Sequence, residues 1–211
     1  MKNIFLFAIV FVTASCASTT NITSSWKAPD ITSASLSMKK IMVAALLPGN
    51  DRQLQQSMEN QLVKELKLKG IDAASALETY GPKYLPDNEQ MAIAKLQQDG
   101  IDGFLTIVLL DKKKQKTYNP GYSQFGPYGY GYYRNWYGYY TTIYGRVYAP
   151  DYYTTVNKYY WESNLYNMPG QKLIYSEQSQ SFDPASISQL ADSYSDQLVN
   201  DMAKKGLIVK K

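Results

Sequence analysis

Three short stretches of this chain are built alike: Lys69-Gly70-Ile71, Asp99-Gly100-Ile101 and Lys205-Gly206-Leu207. Each follows a segment with helical apolar spacing and leads straight into an apolar extended run. Glycine enters left-handed backbone without a Cβ penalty, so each reads as a helix stop that turns directly into a strand. Helices that feed strands through single-residue hinges belong to the α/β class, with parallel pairing through crossovers.

The elements between the hinges fit that class. Lys40 to Leu47 is a strand buried on both faces, ended by Pro48-Gly49-Asn50. Asp51 is the expected cap of a helix running to Lys69, with Leu54, Met58, Leu62 and Leu66 on its buried side. Ile71 to Leu77 is a weaker strand. Asp87 and Gln90 have capping-box spacing for a helix from Asn88 to Asp99 that buries Met91, Ile93 or Ala94, and Leu96. Phe104 to Leu110 is the most hydrophobic strand of the domain and is expected at its centre. Thr154–Asn167 and Lys172–Phe182 form a hairpin, with Pro169-Gly170 expected in a type II turn. Asp183-Pro184 opens a last helix, and Leu207-Ile208-Val209 makes a short final strand. The expected fold is therefore a single-domain, mixed-sheet α/β sandwich. It has three main helices, a β-hairpin in the C-terminal half and one long Tyr/Gly-rich insertion.

The start of the chain sets the compartment. Lys2 precedes an apolar run from Ile4 to Val12, too short to span a bilayer as a helix, followed by small residues up to Cys16. Residues 1–15 read as a signal peptide, and Cys16 is the one cysteine in the chain. This resembles the lipobox of bacterial lipoproteins, with Thr13 where leucine is usual. The resemblance implies that Cys16 is acylated and anchors the protein in a membrane; two or more acyl chains give a stable anchor. Residues 16–25, rich in Ser and Thr, are expected to be a flexible tether, and residues 26–211 the domain. Ala17 in place of aspartate favours the outer membrane by the same resemblance, on its periplasmic face.

Composition removes several kinds of chemistry. There is no histidine, so Ser-His and Cys-His pairs and histidine-ligated zinc are excluded. With Cys16 acylated, thiol catalysis goes as well. No metal site and no cofactor is expected, and Gly126–Gly131 lacks the strand-to-helix context of a phosphate loop. A net charge of +4 is too mild to argue for nucleic acid. Lys112, Lys113, Lys114 and Lys116 could face anionic headgroups, but read first as a solvated strand end. Trp26 reads as a packing anchor.

The insertion at 118–153 stands apart. It holds 13 of the 20 tyrosines and six of the 13 glycines. One reading is a low-complexity insertion. The other is a binding surface, because tyrosine offers a rigid apolar ring and a hydroxyl with few torsions to freeze. The candidate contacts are Tyr128, Tyr130, Tyr132, Tyr133, Arg134, Trp136, Tyr137, Tyr139, Tyr140 and Tyr144. Their expected partner is an envelope protein, a glycan or the membrane interface.

Taken in order, the lipobox, Ser25-Trp26-Lys27-Ala28-Pro29-Asp30, the Tyr/Gly-rich segment, Ser163-Asn164-Leu165-Tyr166-Asn167 and Ser181-Phe182-Asp183-Pro184 resemble a family of small bacterial envelope lipoproteins of unknown function. The likeness covers almost the whole chain. It implies a lipid-anchored α/β domain and brings no catalytic residues with it. The expected function is thus a lipid-anchored binding or structural module of the cell envelope, not an enzyme. The alternative is an envelope hydrolase or transferase that works through facing carboxylates.

Overall fold

A computed structural model of the chain describes residues 19–31, 38–47, 51–82, 85–86, 88–113, 135–147, 158–182 and 184–208, with the backbone alone over 142–147. The strands are β1 (Thr20–Lys27), β2 (Lys40–Leu46), β3 (Asp72–Ser75), β4 (Gly103–Lys113), β5 (Lys158–Asn167) and β6 (Lys172–Phe182). The helices are α1 (Arg52–Leu68), α2 (Ala76–Tyr80), α3 (Glu89–Gln98), α4 (Trp136–Val147) and α5 (Ile187–Lys204). One six-stranded sheet holds them together in the order β1-β6-β5-β4-β2-β3. β2 runs parallel to β3 and to β4, while β4, β5, β6 and β1 pair antiparallel. The mixed α/β class and the β5–β6 hairpin agree with the sequence.

Strand alternation divides the core into two layers. Ile41, Val43 and Ala45 of β2 face α1 and α5, together with Leu105, Ile107, Trp161 and Leu165. Met42, Ala44 and Leu46 point to the opposite face, with Phe104, Val108 and Tyr166, under α2, α3 and α4. All of these side chains are fully buried. The three hinges close as expected. Gly70, Gly100 and Gly206 have φ of 81°, 70° and 71°. Ile71, Ile101 and Leu207 each return an N–H to the carbonyl five residues back, which is the Schellman closure.

Several expectations are corrected. Residues 20–25, expected as tether, belong to β1. The strand has no apolar face, but backbone pairing and hydroxyls dock it. Thr20 N donates to Ser193 Oγ at 3.0 Å, and the Thr20 and Ser181 hydroxyls are 2.7 Å apart. Trp26 is 42% exposed and is no packing anchor. β3 stops at Ser75, whose Oγ accepts from Glu78 N and caps α2; Ser75-Ala76-Leu77-Glu78 is itself a capping-box sequence. Asp51 makes no side-chain cap to α1 and pairs with Lys112 instead. Asn88 caps α3, which buries Ala92 and Leu96 and leaves Met91 exposed. Ser186, not Asp183, caps α5. The hairpin turn is not type II. Gln171 N donates to Met168 O at 3.2 Å, and the left-handed residue is Gln171 (φ 50°) rather than Gly170. That is a type I turn followed by a left-handed residue. Leu207 and Ile208 are buried but form no strand. The insertion contributes α4, which is part of the core. Asp87, Asp183 and Pro48-Gly49-Asn50 lie outside the described residues.

Candidate functional site

The structure splits the tyrosine-rich candidates. Tyr128, Tyr130, Tyr132, Tyr133 and Arg134 lie outside the described residues, as does Cys16, and so does the side chain of Tyr144 on α4. Trp136, Tyr139 and Tyr140 face inward: the first two are fully buried and the third is 6% exposed. This corrects the expectation that they form an interaction surface. Tyr137 is half-buried, and its hydroxyl donates to Pro86 O at 3.3 Å.

Local sequence explains why these residues form a helix. Asn135 Oδ1 accepts from Tyr137 N at 2.8 Å and from Gly138 N at 3.1 Å, satisfying N–H groups that an uncapped helix start would leave unpaired. Trp136, Tyr139 and Tyr140 then fall on one side at helical spacing. The Trp136 ring lies 5.2 Å from Phe104, and Tyr140 meets Phe104 edge-on at 6.2 Å. Aromatic spacing in low-complexity sequence was thus the signal of a core helix.

Beneath α4, the Tyr139 hydroxyl donates to the carboxylate of Glu162 on β5. The side-chain amides of Asn164 and Gln178 reach the same carboxylate at 3.4 and 3.3 Å. Glu162 is 2% exposed, and these polar partners are what a buried carboxyl group needs.

On the opposite face of the sheet, under α5, sits a second carboxyl. Glu177 of β6 is 1% exposed and stands across from Ser163 of β5. The Ser163 and Tyr194 hydroxyls are hydrogen-bonded to each other. Burial pushes the Glu177 carboxyl up to about 8, helped by the nearby charges of Asp201 and Glu162, while the Ser179 and Ser163 hydroxyls pull it down. Oε2 of Glu177 and the hydroxyls of Ser179 and Ser195 have no well-formed hydrogen bond. Burial thus favours the neutral form of Glu177. Burial, then Glu177, also raises the Tyr194 and Tyr175 hydroxyls, and Tyr175 donates to Asp201 at 2.8 Å.

A third buried carboxylate, Glu59 of α1, is structural. β3 ends beside Val43, leaving the rest of that β2 edge without a strand. Glu59 accepts from Ala45 N at 2.9 Å, and Gln55 Nε2 donates to Ala45 O at 2.9 Å. One turn of α1 thus takes the place of the missing strand, and Glu59 also accepts from Ser75 Oγ and Leu77 N.

Sequence reasoning missed all three glutamates. In a strand or an amphipathic helix, glutamate reads as the solvated face. The available signal lay in their neighbours: Trp161-Glu162-Ser163-Asn164-Leu165 leaves no consistently polar side. Among the described residues, no group of acidic side chains is placed to hold a metal ion, and no helix is long and apolar enough to cross a membrane.

No family model and no curated protein sequence matches this chain. Among solved structures, it is similar to the PelC dodecamer subunit from Paraburkholderia phytofirmans, at 12% identity and TM-score 0.48 over 91% of this chain and 99% of that one. It is also similar to lipoprotein GNA1162 from Neisseria meningitidis, at 15% identity and TM-score 0.41 over 78% of this chain and 98% of that one. Likeness at this level carries no inference about what this chain binds or assembles with.

Proposed function

We propose that this chain is a lipid-anchored envelope protein that offers its α/β domain as a binding or structural module and catalyses no reaction. The observation that carries this reading is the placement of the buried carboxylates. Carboxylate-based hydrolysis or transfer needs two acids facing one reacting bond. Glu162 and Glu177 lie on adjacent strands but on opposite faces of the sheet, one under α4 and one under α5, and Asp201, the acid on the α5 side whose charge acts on Glu177, is engaged by the Tyr175 hydroxyl at 2.8 Å. Glu59 has its oxygens committed to the backbone of β2 and α2. The sequence supports the rest, through a signal peptide, Cys16 and the absence of histidine. In this reading the interaction surface lies in residues 118–134, which precede α4 in the chain.

Two experiments test this. Cys16→Ala should move the protein from the membrane fraction to the soluble fraction; unchanged sedimentation with membranes would remove the anchor. Deleting 119–133, which spares α4, should keep the fold and abolish partner recovery after crosslinking in intact cells. Recovery of the same partners by the shortened protein would dismiss that segment as the binding surface.

A further inference from the structure

The anchor reading, on which this inference rests, says that Cys16 sits at a membrane but not how the domain stands on it. The register of the sheet supplies an orientation. Phe182 N donates to Thr19 O at 2.8 Å, so the chain is already fastened to the sheet at the third residue after Cys16. Three Cα–Cα steps separate Cys16 from Thr19, a reach of at most ~11 Å. β1 then runs ~23 Å to its far end at Lys27. A stance with the β5–β6 turn against the bilayer would need the link to span at least the length of β1, about twice what it can reach.

The end of the sheet nearest Cys16 is defined by three rungs: Thr20 opposite Ser181, Lys158 opposite Phe182, and Lys113 opposite Lys158. Its side chains combine lysines and aromatic rings, with two carboxylates among them: Asp111 pairs with Lys113 at 3.2 Å and Asp51 with Lys112, which leaves Lys158 as the lysine there without an ion pair among the described residues. Lys158 Nζ stands 4.6 Å from the centre of the Phe182 ring and 5.3 Å from that of Tyr160, and Lys113 Nζ stands 5.6 Å from Tyr160. Phe182 is 39% exposed, and Ile187 at the start of α5 is 36% exposed. Ser193, which holds Thr20, lies six residues into α5, so Ile187 projects ~9 Å beyond the start of β1 toward the same end. The exposed Phe182 ring and the half-buried Tyr160 ring, with lysines laid over them, suit the headgroup layer, where apolar bodies sink and ammonium groups stay at the phosphates.

We infer that this end of the sheet, with Lys113, Lys158, Tyr160, Phe182 and Ile187, rests on the anionic phospholipid headgroups of the membrane that holds Cys16. Charge alone would not select it. Lys67, Lys69, Lys172 and Lys204 gather at the opposite end, where α1 and α5 finish and basic residues complement the helix dipole. The short link decides between the two ends.

The test uses the full acylated chain in vesicles of phosphatidylethanolamine and phosphatidylglycerol that carry a headgroup nitroxide. Acylated Cys16 has no free thiol, so Ile187→Cys, Ser188→Cys and Leu68→Cys each give one labelling site. Leu68 is 70% exposed at the far end of α1. The label at 187 or 188 should lose most of its emission while that at 68 keeps it. Equal or greater quenching at 68 overturns the orientation. Quenching at 187 that is unchanged without phosphatidylglycerol, or after Lys113→Glu with Lys158→Glu, overturns the headgroup contact. A mass spectrum showing no acyl group on Cys16 overturns the anchor reading itself, which is a separate result.

Discussion

Replacing Glu177 with glutamine should make the protein more stable at neutral pH and flatten its response to pH. The carboxyl is fully buried, and its pKa rises from 4.5 to about 8 on folding. Between those values the unfolded chain releases a proton that the folded chain keeps. The folded state therefore binds more protons, and stability falls as pH rises. The contribution is fully present below pH 4.5 and gone above about 8. The slope in between is ~1.4 kcal/mol per pH unit, so the wild type should lose about 3 kcal/mol from pH 5 to pH 7.5. That is a sizeable share of a total stability of ~5–15 kcal/mol. Asp99, held low chiefly by the Tyr80 hydroxyl, acts in the opposite sense, and only in acid below this window. Glutamine keeps the shape and cannot ionise. Urea unfolding at pH 5, 6, 7 and 7.5 should give a falling line for the wild type and a nearly level one for Glu177→Gln, the two separating most at pH 7.5. Equal wild-type stability at pH 5 and 7.5, or the same slope in both proteins, would refute the argument.

Two further predictions concern the parts of the fold that departed from expectation. Gln171→Gly should stabilise by about 0.5–1 kcal/mol, because Gln171 holds a left-handed backbone, while Gly170→Ala should be nearly neutral, since its Cβ would meet only Lys172 at 3.7 Å. Thermal melts with the two effects reversed would restore the type II turn. Tyr139→Phe should cost about 1–3 kcal/mol by taking a hydrogen bond from the buried Glu162, and Trp136→Ala about 3–5 kcal/mol by emptying a core site. Denaturant titrations in which both variants match wild type would mean that α4 does not dock where we place it.

What the sequence made legible was whatever depends on local backbone chemistry. The glycine hinges could be read because left-handed closure is a property of one residue and its immediate neighbours, and all three take the expected φ. Buried strands could be read from unbroken apolar runs, as in Val43 or Ile107. Long-range polar pairing could not. β1 looked like a tether because its residues are Ser and Thr, yet its partners lie at Ser181 and Ser193, far along the chain. Asp51 looked like a cap because the short-range rule fits, but Lys112, brought alongside by the parallel β2–β4 pair, takes its carboxylate instead.

The tyrosine-rich insertion illustrates the same division. Its composition suggested one segment with one role, because composition averages over position. Periodicity does not average: Trp136, Tyr139 and Tyr140 sit on one side of a helix that begins at an asparagine cap. A tyrosine buries a large ring and still needs a partner for its hydroxyl, so it suits a core that contains a carboxylate. Glu162 fills that need for Tyr139. Downstream of Asn135, tyrosine therefore serves the core: Tyr139 and Tyr140 join α4 to the sheet, as a large ring with a satisfiable hydroxyl can.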